Sequence, residues 1–232
     1  GKTYSLVKAL SYLIGQQGSD FIRKYQKIAC ITFTNVACDE IKSRTDGHPA
    51  IIASTIHSFC WSLIKDFQPY LRNELPTLSE KWQERLDEEG GIAGRAINYE
   101  LGYPSAKKED QNISLGHDDV LTLTVKLLAK EKFRRLFINR YPVLFIDEYQ
   151  DTNKDFVNAL KTHFLDNEDG PLIGFFGDHW QKIYGDGCGI VEHGKLVIIN
   201  QQSNFRSVKP VVEVLNGMRP DLPQDIRDPD GD

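Results

Sequence analysis

The sequence has few cysteines and no long apolar run, and these absences exclude several protein classes. Its four cysteines, Cys30, Cys38, Cys60 and Cys188, show no C-x-x-C spacing, which argues against a zinc site or a redox pair. No apolar stretch approaches the roughly 20 residues needed to cross a bilayer, so we expect a globular chain that binds no membrane. Without a basic-then-apolar leader at its start, the sequence favours the reducing cytoplasm as its location.

The chain has no excess of positive charge, with 28 basic against 33 acidic side chains. The 232 residues carry a formal net charge of -5, which argues against binding nucleic acid by bulk electrostatics and leaves a local groove of Lys and Arg for that role. The negative charge is concentrated in residues 69–119, which hold 11 acidic and 6 basic side chains between borders rich in Pro and Gly. We therefore predict an acidic helical insertion at 69–119 within a fold formed by residues 1–68 and 120–218. Residues 219–232, with three prolines, are predicted to be a linker or disordered tail.

Outside the insertion, strand and helix patterns alternate. Short apolar runs rich in β-branched residues predict buried strands at 27–33 and 142–147, with weaker candidates at 51–53, 171–176 and 195–200. Apolar residues at three- and four-residue spacing predict helices near 4–16, 36–44, 56–67, 119–138, 153–164 and 208–216. This alternation indicates an α/β fold, a doubly wound parallel sheet flanked by helices.

The chain opens with GKT, the three letters that end a phosphate-binding P-loop. In the full pattern, backbone amides hold the phosphates, the lysine reaches the terminal phosphates and the hydroxyl holds Mg²⁺. An ordinary helix N-terminus is the alternative interpretation of three letters taken alone.

Two carboxylates follow the apolar strand in VLFIDEYQDTN. Ligands of parallel α/β sheets lie at the carboxyl ends of strands, where Asp147 can hold Mg²⁺ and Glu148 can orient or deprotonate water. The alternative is an acidic pair that precedes a capped helix. The sequence thus combines a P-loop fragment that ends in a hydroxyl residue with a strand that ends in Asp-Glu. Within one α/β sheet, this combination favours a nucleoside triphosphatase.

Five stretches in this order resemble the motifs of UvrD/Rep-type superfamily-1 DNA helicases: ITFTNVACDEIKSR, STIHSFC, VLFIDEYQDTN, GDHWQKIY and NFRS. The resemblance covers most of the chain apart from the insertion and the tail. It implies the first motor domain of such a helicase, with a RecA-like P-loop NTPase fold. It also implies ATP hydrolysis that drives movement along single-stranded DNA, 3′ to 5′, with strand separation.

The resemblance assigns the nucleotide site by position. Gly1, Lys2 and Thr3 would bind ATP, with Lys2 at the β- and γ-phosphates. Thr3 and Asp147 would hold Mg²⁺.

The same resemblance assigns three catalytic residues. Glu148 would be the base, Gln181 would sense the γ-phosphate and Arg206 would stabilise its developing charge; Gln181 and Arg206 would also contact ATP. The alternatives are a surface loop residue for Gln181 and an ion pair preceding a helix for Arg206.

Single-stranded DNA is the expected partner of the polar and aromatic residues that follow the first strands. Hydroxyl, amide and backbone N–H groups at helix N-termini can hold phosphates, and aromatic rings can stack on bases. The candidate DNA-binding residues are Phe33, Thr34, Asn35, Thr55, His57, Ser58 and Tyr184. His57 can also be a capping or core histidine, and the segment around Phe59 and Trp61 has the pattern of a buried helix.

Three departures from the family pattern limit what the resemblance implies, and the first two favour a second hypothesis. GDGCG follows Tyr184 where the family has an aromatic residue and Arg-Gly, the insertion at the accessory-subdomain position is short and acidic, and the second motor domain has no counterpart after Arg206. The alternative is a helicase-like nucleotide-sensing module that gates a protein partner, such as a nuclease or a repair or defence complex. Because most P-loop amides would precede Gly1, we expect this fragment alone to bind ATP weakly and to be inactive.

Overall fold

A four-stranded parallel sheet forms the centre of the molecule. The structure, a computed structural model, describes residues 2–92, 94–100, 103–204, 207–220 and 222–226. The strands lie in the order β2-β1-β5-β6, and all three neighbouring pairs are parallel. Their bounds are β1 Ile28–Thr32, β2 Ile51–Thr55, β5 Val143–Asp147 and β6 Leu172–Phe176. The predicted α/β fold with a parallel sheet flanked by helices is confirmed.

The two central strands are the two clearest apolar runs of the sequence. Every residue of β1 and of β5 is buried, because helices cover both faces of a parallel sheet. In their shared register Cys30 lies beside Phe145 and Ile31 beside Ile146. This register brings the carboxyl ends of β1 and β5 to the same edge of the sheet, where ligands of such folds bind.

Helices connect the strands. Asn35–Arg44 and Ile56–Ile64 begin at Thr34 and Thr55, whose side chains accept backbone N–H groups as N-caps. The helix predicted at 119–138 is divided in two around Lys130. The helices are α1 Lys2–Arg23, α2 Asn35–Arg44, α3 Ile56–Ile64, α4 Gln68–Glu74, α5 Glu80–Glu88, α6 His117–Leu128, α7 Glu131–Arg140, α8 Lys154–Leu160, followed by a π-helical turn Lys161–Leu165, and α9 Lys209–Met218.

The strand predicted at 195–200 is wrong. These residues form no strand in the structure, and Val197, Ile198 and Ile199 are 85%, 78% and 79% exposed. An apolar β-branched run has the local preference for a strand, but a strand also requires a neighbour that accepts its hydrogen bonds. Within the described residues no strand pairs with this segment.

One hydrophobic core covers each face of the sheet. On one face α1 and α2 pack through Leu6, Leu10 and Ile41 against β1. On the other face α3, α6 and α8 pack in a larger cluster that includes Phe59 and Phe156.

The described residues within 69–119 add no strand to the four-stranded sheet. They contain α4, α5 and the start of α6, and also two short strands, β3 Ala96–Tyr99 and β4 Asn112–Leu115, which pair in parallel. The structure thus corrects the expectation of helices alone, because Ile97, Ile113 and Leu115 bury apolar side chains from an extended backbone. These side chains belong to the same core as α3 and α6, and the boundary predicted at 119 falls within α6. The division into domains stays a prediction.

Part of the segment predicted as a linker or tail is ordered. The strand β8, Asp225–Ile226, pairs in parallel with β7, Ser203–Asn204. The side chain of Asn216 in α9 exchanges two hydrogen bonds with the Gln224 backbone. A linker has no such partners, so the described residues of this segment are folded onto the domain.

Among the described helices, none combines the length and hydrophobicity that a membrane span needs.

Candidate nucleotide and DNA site

The N-terminus of α1 meets the carboxyl ends of β5 and β6. There the Lys2 ammonium lies 2.5 Å from Oε2 of Glu148 and donates to Oε1 of Gln181 at 2.9 Å. The three residues are far apart in sequence, and the parallel register of the sheet brings their loops together. The structure thus groups one cation, one carboxylate and one amide predicted to serve a terminal phosphate.

Asp147 ends β5 inside this site and carries a buried carboxyl group. Its side chain is 5% exposed, and its Oδ1 atom has no hydrogen-bond partner within the described part of the chain. Burial, together with the neighbouring charge of Glu148, raises the pKa of Asp147 to about 6, although the Glu148 backbone and the Lys2 charge act in the opposite direction. An unpaired buried oxygen with a raised pKa is the arrangement that a bound cation would relieve.

Glu148 has an uncommon backbone conformation. Its φ of 49° and ψ of 46° lie in the left-handed region, which costs a non-glycine residue roughly 1–3 kcal/mol. The turn that follows, Tyr149–Asp151, folds back so that Nε2 of Gln150 donates to Oε2 of Glu148 at 2.9 Å. The Glu148 carboxylate is therefore held by both Lys2 and Gln150.

Gln150 links the loops that follow β5 and β6. It is 1% exposed, and its Oε1 atom accepts the Asp178 backbone N–H at 3.1 Å. A Cβ atom on Gly177 would approach Oε1 of Gln150 to 2.3 Å, so only glycine permits this passage of the chain. Nε2 of Gln150 also donates to Asp151, whose second oxygen accepts the backbone N–H groups of 183 and 184.

Two predicted site residues, Gly1 and Arg206, lie outside the residues that the structure describes. Thr3 is half-buried in the first turn of α1, directly after Lys2. Its role as a ligand of Mg²⁺ stays a prediction.

The candidate DNA residues lie on the same edge of the sheet. Phe33 and Tyr184 stack with ring centroids 4.7 Å apart, and both rings are partly exposed, at 41% and 42%. Thr34 caps α2 by accepting the Ala37 N–H, and Asn35 begins that helix on the surface. Aromatic faces beside a helix N-terminus are a surface suited to bases and phosphates.

A second group of these candidates surrounds the start of α3. Thr55 donates to the Ser58 hydroxyl at 3.0 Å, and the His57 ring stacks on His117 with centroids 4.2 Å apart. Burial, and then the charge of His117, lowers the pKa of His57. His117 in turn is hydrogen-bonded to the Tyr99 hydroxyl at 2.8 Å. His57 is thus half-buried where α3 meets α6, and its role in DNA binding stays a prediction; the described residues contain no cluster suited to a metal there.

Gln150 and Asp178 also belong to the site, although neither was among the predicted residues. Both follow apolar strands, within VLFIDEYQDTN and GDHWQKIY, so their positions were a usable signal. Arg219, which pairs with Asp178 at 2.9 Å, lies outside these stretches and carried no signal.

Comparison with known proteins agrees with this geometry. A family model described as an AAA domain matches residues 1–186. Gabija protein GajB of Bacillus cereus is 30% identical over 97% of this chain and 46% of its own length. The ATP-dependent DNA helicases PcrA of Staphylococcus aureus and Staphylococcus epidermidis are 25% and 27% identical, each over 93% of this chain and 36% of their own length. The chain thus spans less than half the length of these relatives.

The family match extends over most of the chain, and the parallel sheet brings residues of the GKT, DEYQ and GDHWQ stretches to one edge. The chain therefore belongs to the AAA domain family and is a motor domain of the UvrD/Rep-type superfamily-1 helicases.

Proposed function

We propose that this motor domain hydrolyses ATP and couples hydrolysis to 3′ to 5′ movement on single-stranded DNA. The observation that carries the proposal is the meeting of Lys2, Glu148 and Gln181 beside an Asp147 oxygen that has no hydrogen-bond partner in the described part of the chain. A cation, a carboxylate, an amide and a buried metal-binding oxygen are the groups that phosphoryl transfer to water uses.

Lys2 binds the terminal phosphates in this proposal. Its ammonium is half-buried among the oxygens of Glu148 and Gln181, and phosphate oxygens can replace these neighbours at little cost in geometry. Displacement of Lys2 leaves the Glu148 carboxylate free to accept a proton from the attacking water. Gln181 then donates to the γ-phosphate, and the Gln150 hydrogen bond keeps Glu148 in place.

Asp147, with Thr3, is the proposed holder of Mg²⁺. The Oδ1 atom is buried and has no hydrogen-bond partner among the described residues, and burial raises the pKa of Asp147, so a divalent cation would compensate this carboxylate. When bound, Mg²⁺ would neutralise charge on the phosphate oxygens. Asp147 must be ionised to hold it.

The Phe33–Tyr184 pair and the N-terminus of α2 are the proposed contacts to DNA. Tyr184 belongs to the loop that carries Gln181, and its backbone N–H is held by Asp151. Asp151 also accepts from Gln150, which bonds Glu148. This chain of contacts gives ATP hydrolysis a physical route to the DNA surface.

The proposal is tested with the natural full-length protein that contains this sequence. ATP turnover is measured with and without single-stranded DNA, and strand separation is measured on duplexes with a 3′ or a 5′ single-stranded tail. We expect DNA to stimulate turnover and the 3′ tail to support unwinding. Turnover that is absent, or that ignores DNA, would contradict the proposal.

A second candidate function is a nucleotide-sensing module that gates a partner protein. The conformation of the GDGCG segment favours this second candidate, because residues 186–189 are hydrogen-bonded to residues that follow β5. Lys154 N–H donates to Asp186 O at 3.2 Å, Cys188 N–H to Thr152 O at 2.8 Å and Gly189 N–H to Gln150 O at 3.1 Å. A loop bonded to the residues after β5 thereby stands where the family has an aromatic residue and Arg-Gly.

Strand separation distinguishes the two candidates. A gating module would bind and hydrolyse nucleotide without unwinding DNA, and the nucleotide would change its affinity for a co-purifying protein. A helicase would unwind DNA without that protein. The cytoplasmic location stays a prediction under both.

A further inference from the structure

Arg219 makes an ion pair with the loop that carries Gln181. It follows α9 directly, in the segment predicted from the sequence to be a linker or disordered tail. Its backbone N–H donates to Leu215 O at the end of that helix. Its Nη1 and Nη2 atoms donate to the two carboxylate oxygens of Asp178 at 2.9 Å and 3.3 Å. The two side chains are only 15% and 17% exposed. This two-pronged geometry in a protected place is the strong form of such a pair.

Asp178 orients Gln181. Its Oδ2 atom accepts Nε2 of Gln181 at 3.1 Å, and its Oδ1 atom accepts the Trp180 backbone N–H at 3.1 Å. The Arg219 guanidinium also lies over the Trp180 ring, 5.3 Å from its centroid. Arg219 therefore contacts both the carboxylate that holds Gln181 and the neighbouring aromatic ring.

We propose that Arg219 is a positioning residue that holds residues 177–184 so that Gln181 meets the terminal phosphate. The catalytic part of this inference rests on the proposed ATP hydrolysis. Arg219 itself touches none of the reacting groups, and it acts through Asp178. It ties α9 to the nucleotide site, so a shift of α9 would move Gln181.

The charge balance of the pair supports this role. Burial alone would raise the pKa of Asp178, but hydrogen bonds from Arg219 and from the Trp180 backbone, with the Arg219 charge, lower that pKa overall. Without Arg219 the half-buried carboxylate loses its main compensation. Gln181 is exposed and has Asp178 and Lys2 as its side-chain partners, so little else keeps its amide in place.

The test compares Arg219→Ala and Arg219→Lys in the natural full-length protein. Arg135→Ala is the matched control, since Arg135 pairs with Glu131 at 2.9 Å on an exposed surface of α7. We expect Arg219→Ala to lower kcat for ATP on the order of tenfold or more, as a displaced catalytic group does. Arg219→Ala should also weaken the binding of a non-hydrolysable ATP analogue. ADP, which has no γ-phosphate, should bind as it does to the wild type.

Arg219→Lys, which keeps the charge and loses the fork, should recover part of kcat, and Arg135→Ala should stay within about twofold of the wild type. The double variant Asp178→Asn/Arg219→Ala should lose no more kcat than the more damaging of the two single variants. A kcat of Arg219→Ala within twofold of the wild type would overturn the proposal. Equal weakening of ADP binding and of ATP-analogue binding would also overturn it, because that pattern indicates general structural damage.

A second measurement is independent of ATP hydrolysis. Trp180 is 57% exposed, Trp82 is 2% exposed and Trp61 is partly buried, so the part of the acrylamide quenching that disappears in Trp180→Phe reports on the loop of Trp180. We expect Arg219→Ala, and not Arg135→Ala, to raise the quenching constant by roughly half or more. If the wild type lacks DNA-stimulated ATP turnover, the proposed function fails, but increased quenching would still support the loop-holding role. Unchanged quenching would refute that role.

Discussion

Lys2 and Glu148 form an ion pair at 2.5 Å, although 146 positions separate them in the sequence. Lys2 is in the first turn of α1 and Glu148 directly follows β5. The pair joins the predicted phosphate-binding cation to the predicted catalytic base. In the proposed function a phosphate would compete with Glu148 for Lys2, so nucleotide binding and activation of the base would be coupled through this one contact.

Substitution of the base tests this coupling. We expect Glu148→Gln to lower kcat for ATP by roughly 10²- to 10⁴-fold, because the amide cannot accept the proton. Affinity for ATP should be kept or increased, since Lys2 loses a competing anionic partner. Steady-state kinetics and nucleotide titration of the natural full-length protein measure both quantities.

The control for Glu148 is Glu131→Gln, which removes an exposed carboxylate that pairs with Arg135. It should leave kcat unchanged. Loss of nucleotide affinity in Glu148→Gln would contradict the proposed competition for Lys2.

Replacement of Asp147 should stabilise the metal-free fold while it removes activity. The pKa of Asp147 is about 6 in the fold against an ordinary value of 3.8, so the folded state binds more protons between these values. The free energy of unfolding should therefore fall as pH rises through this window. Above pH 6 the total loss should be on the order of 1–3 kcal/mol. Asp147→Asn carries no charge and should be the more stable protein at pH 8, but not at pH 4.

Denaturant unfolding in the presence of EDTA measures this difference at the two pH values. The exposed Asp39→Asn is the control and should show little pH-dependent difference from the wild type. A wild type as stable as Asp147→Asn at pH 8 would contradict the assigned cost of the buried charge.

The stacked pair predicts a specific loss of DNA affinity. We expect Tyr184→Ala to weaken binding of single-stranded DNA by roughly 1–3 kcal/mol, because the ring facing Phe33 is removed. Tyr184→Phe keeps the ring and should bind nearly as the wild type does. The salt dependence should not change, since neither ring carries charge.

Fluorescence anisotropy with a labelled oligonucleotide measures these affinities. Tyr103→Ala removes an aromatic ring that is 95% exposed and serves as the control. An equal effect of both alanine variants would argue against a DNA surface at Phe33 and Tyr184.

Trp82 tests whether residues 69–119 unfold together with the sheet. Its ring is 2% exposed, its Nε1 atom donates to Asp119 at 2.8 Å, and it belongs to the core shared with Phe59. We expect Trp82→Ala to lower the free energy of unfolding by about 3–5 kcal/mol, within a single cooperative transition. A separate early transition in calorimetry would show that this segment unfolds independently of the sheet.

The sequence alone indicated the type of most elements and named candidate residues for the site. Apolar β-branched runs predicted the strands at 27–33 and 142–147, observed as Ile28–Thr32 and Val143–Asp147, because burial on both faces leaves a local signature. Since parallel strands end at one edge, the polar residues after them, such as Glu148 and Gln181, could be expected to meet. The structure brings these two together through Lys2.

Only the tertiary structure decided which polar groups became partners and which apolar run became a strand. Residues 195–200 have the strand composition, but pairing depends on a neighbouring edge that no local pattern encodes. Likewise, the bonds of Gln150 to Glu148 and of Arg219 to Asp178 join loops whose approach is set by sheet register and helix packing. Periodicity specifies which face of an element is buried, whereas contacts between distant loops arise only when the whole chain is packed.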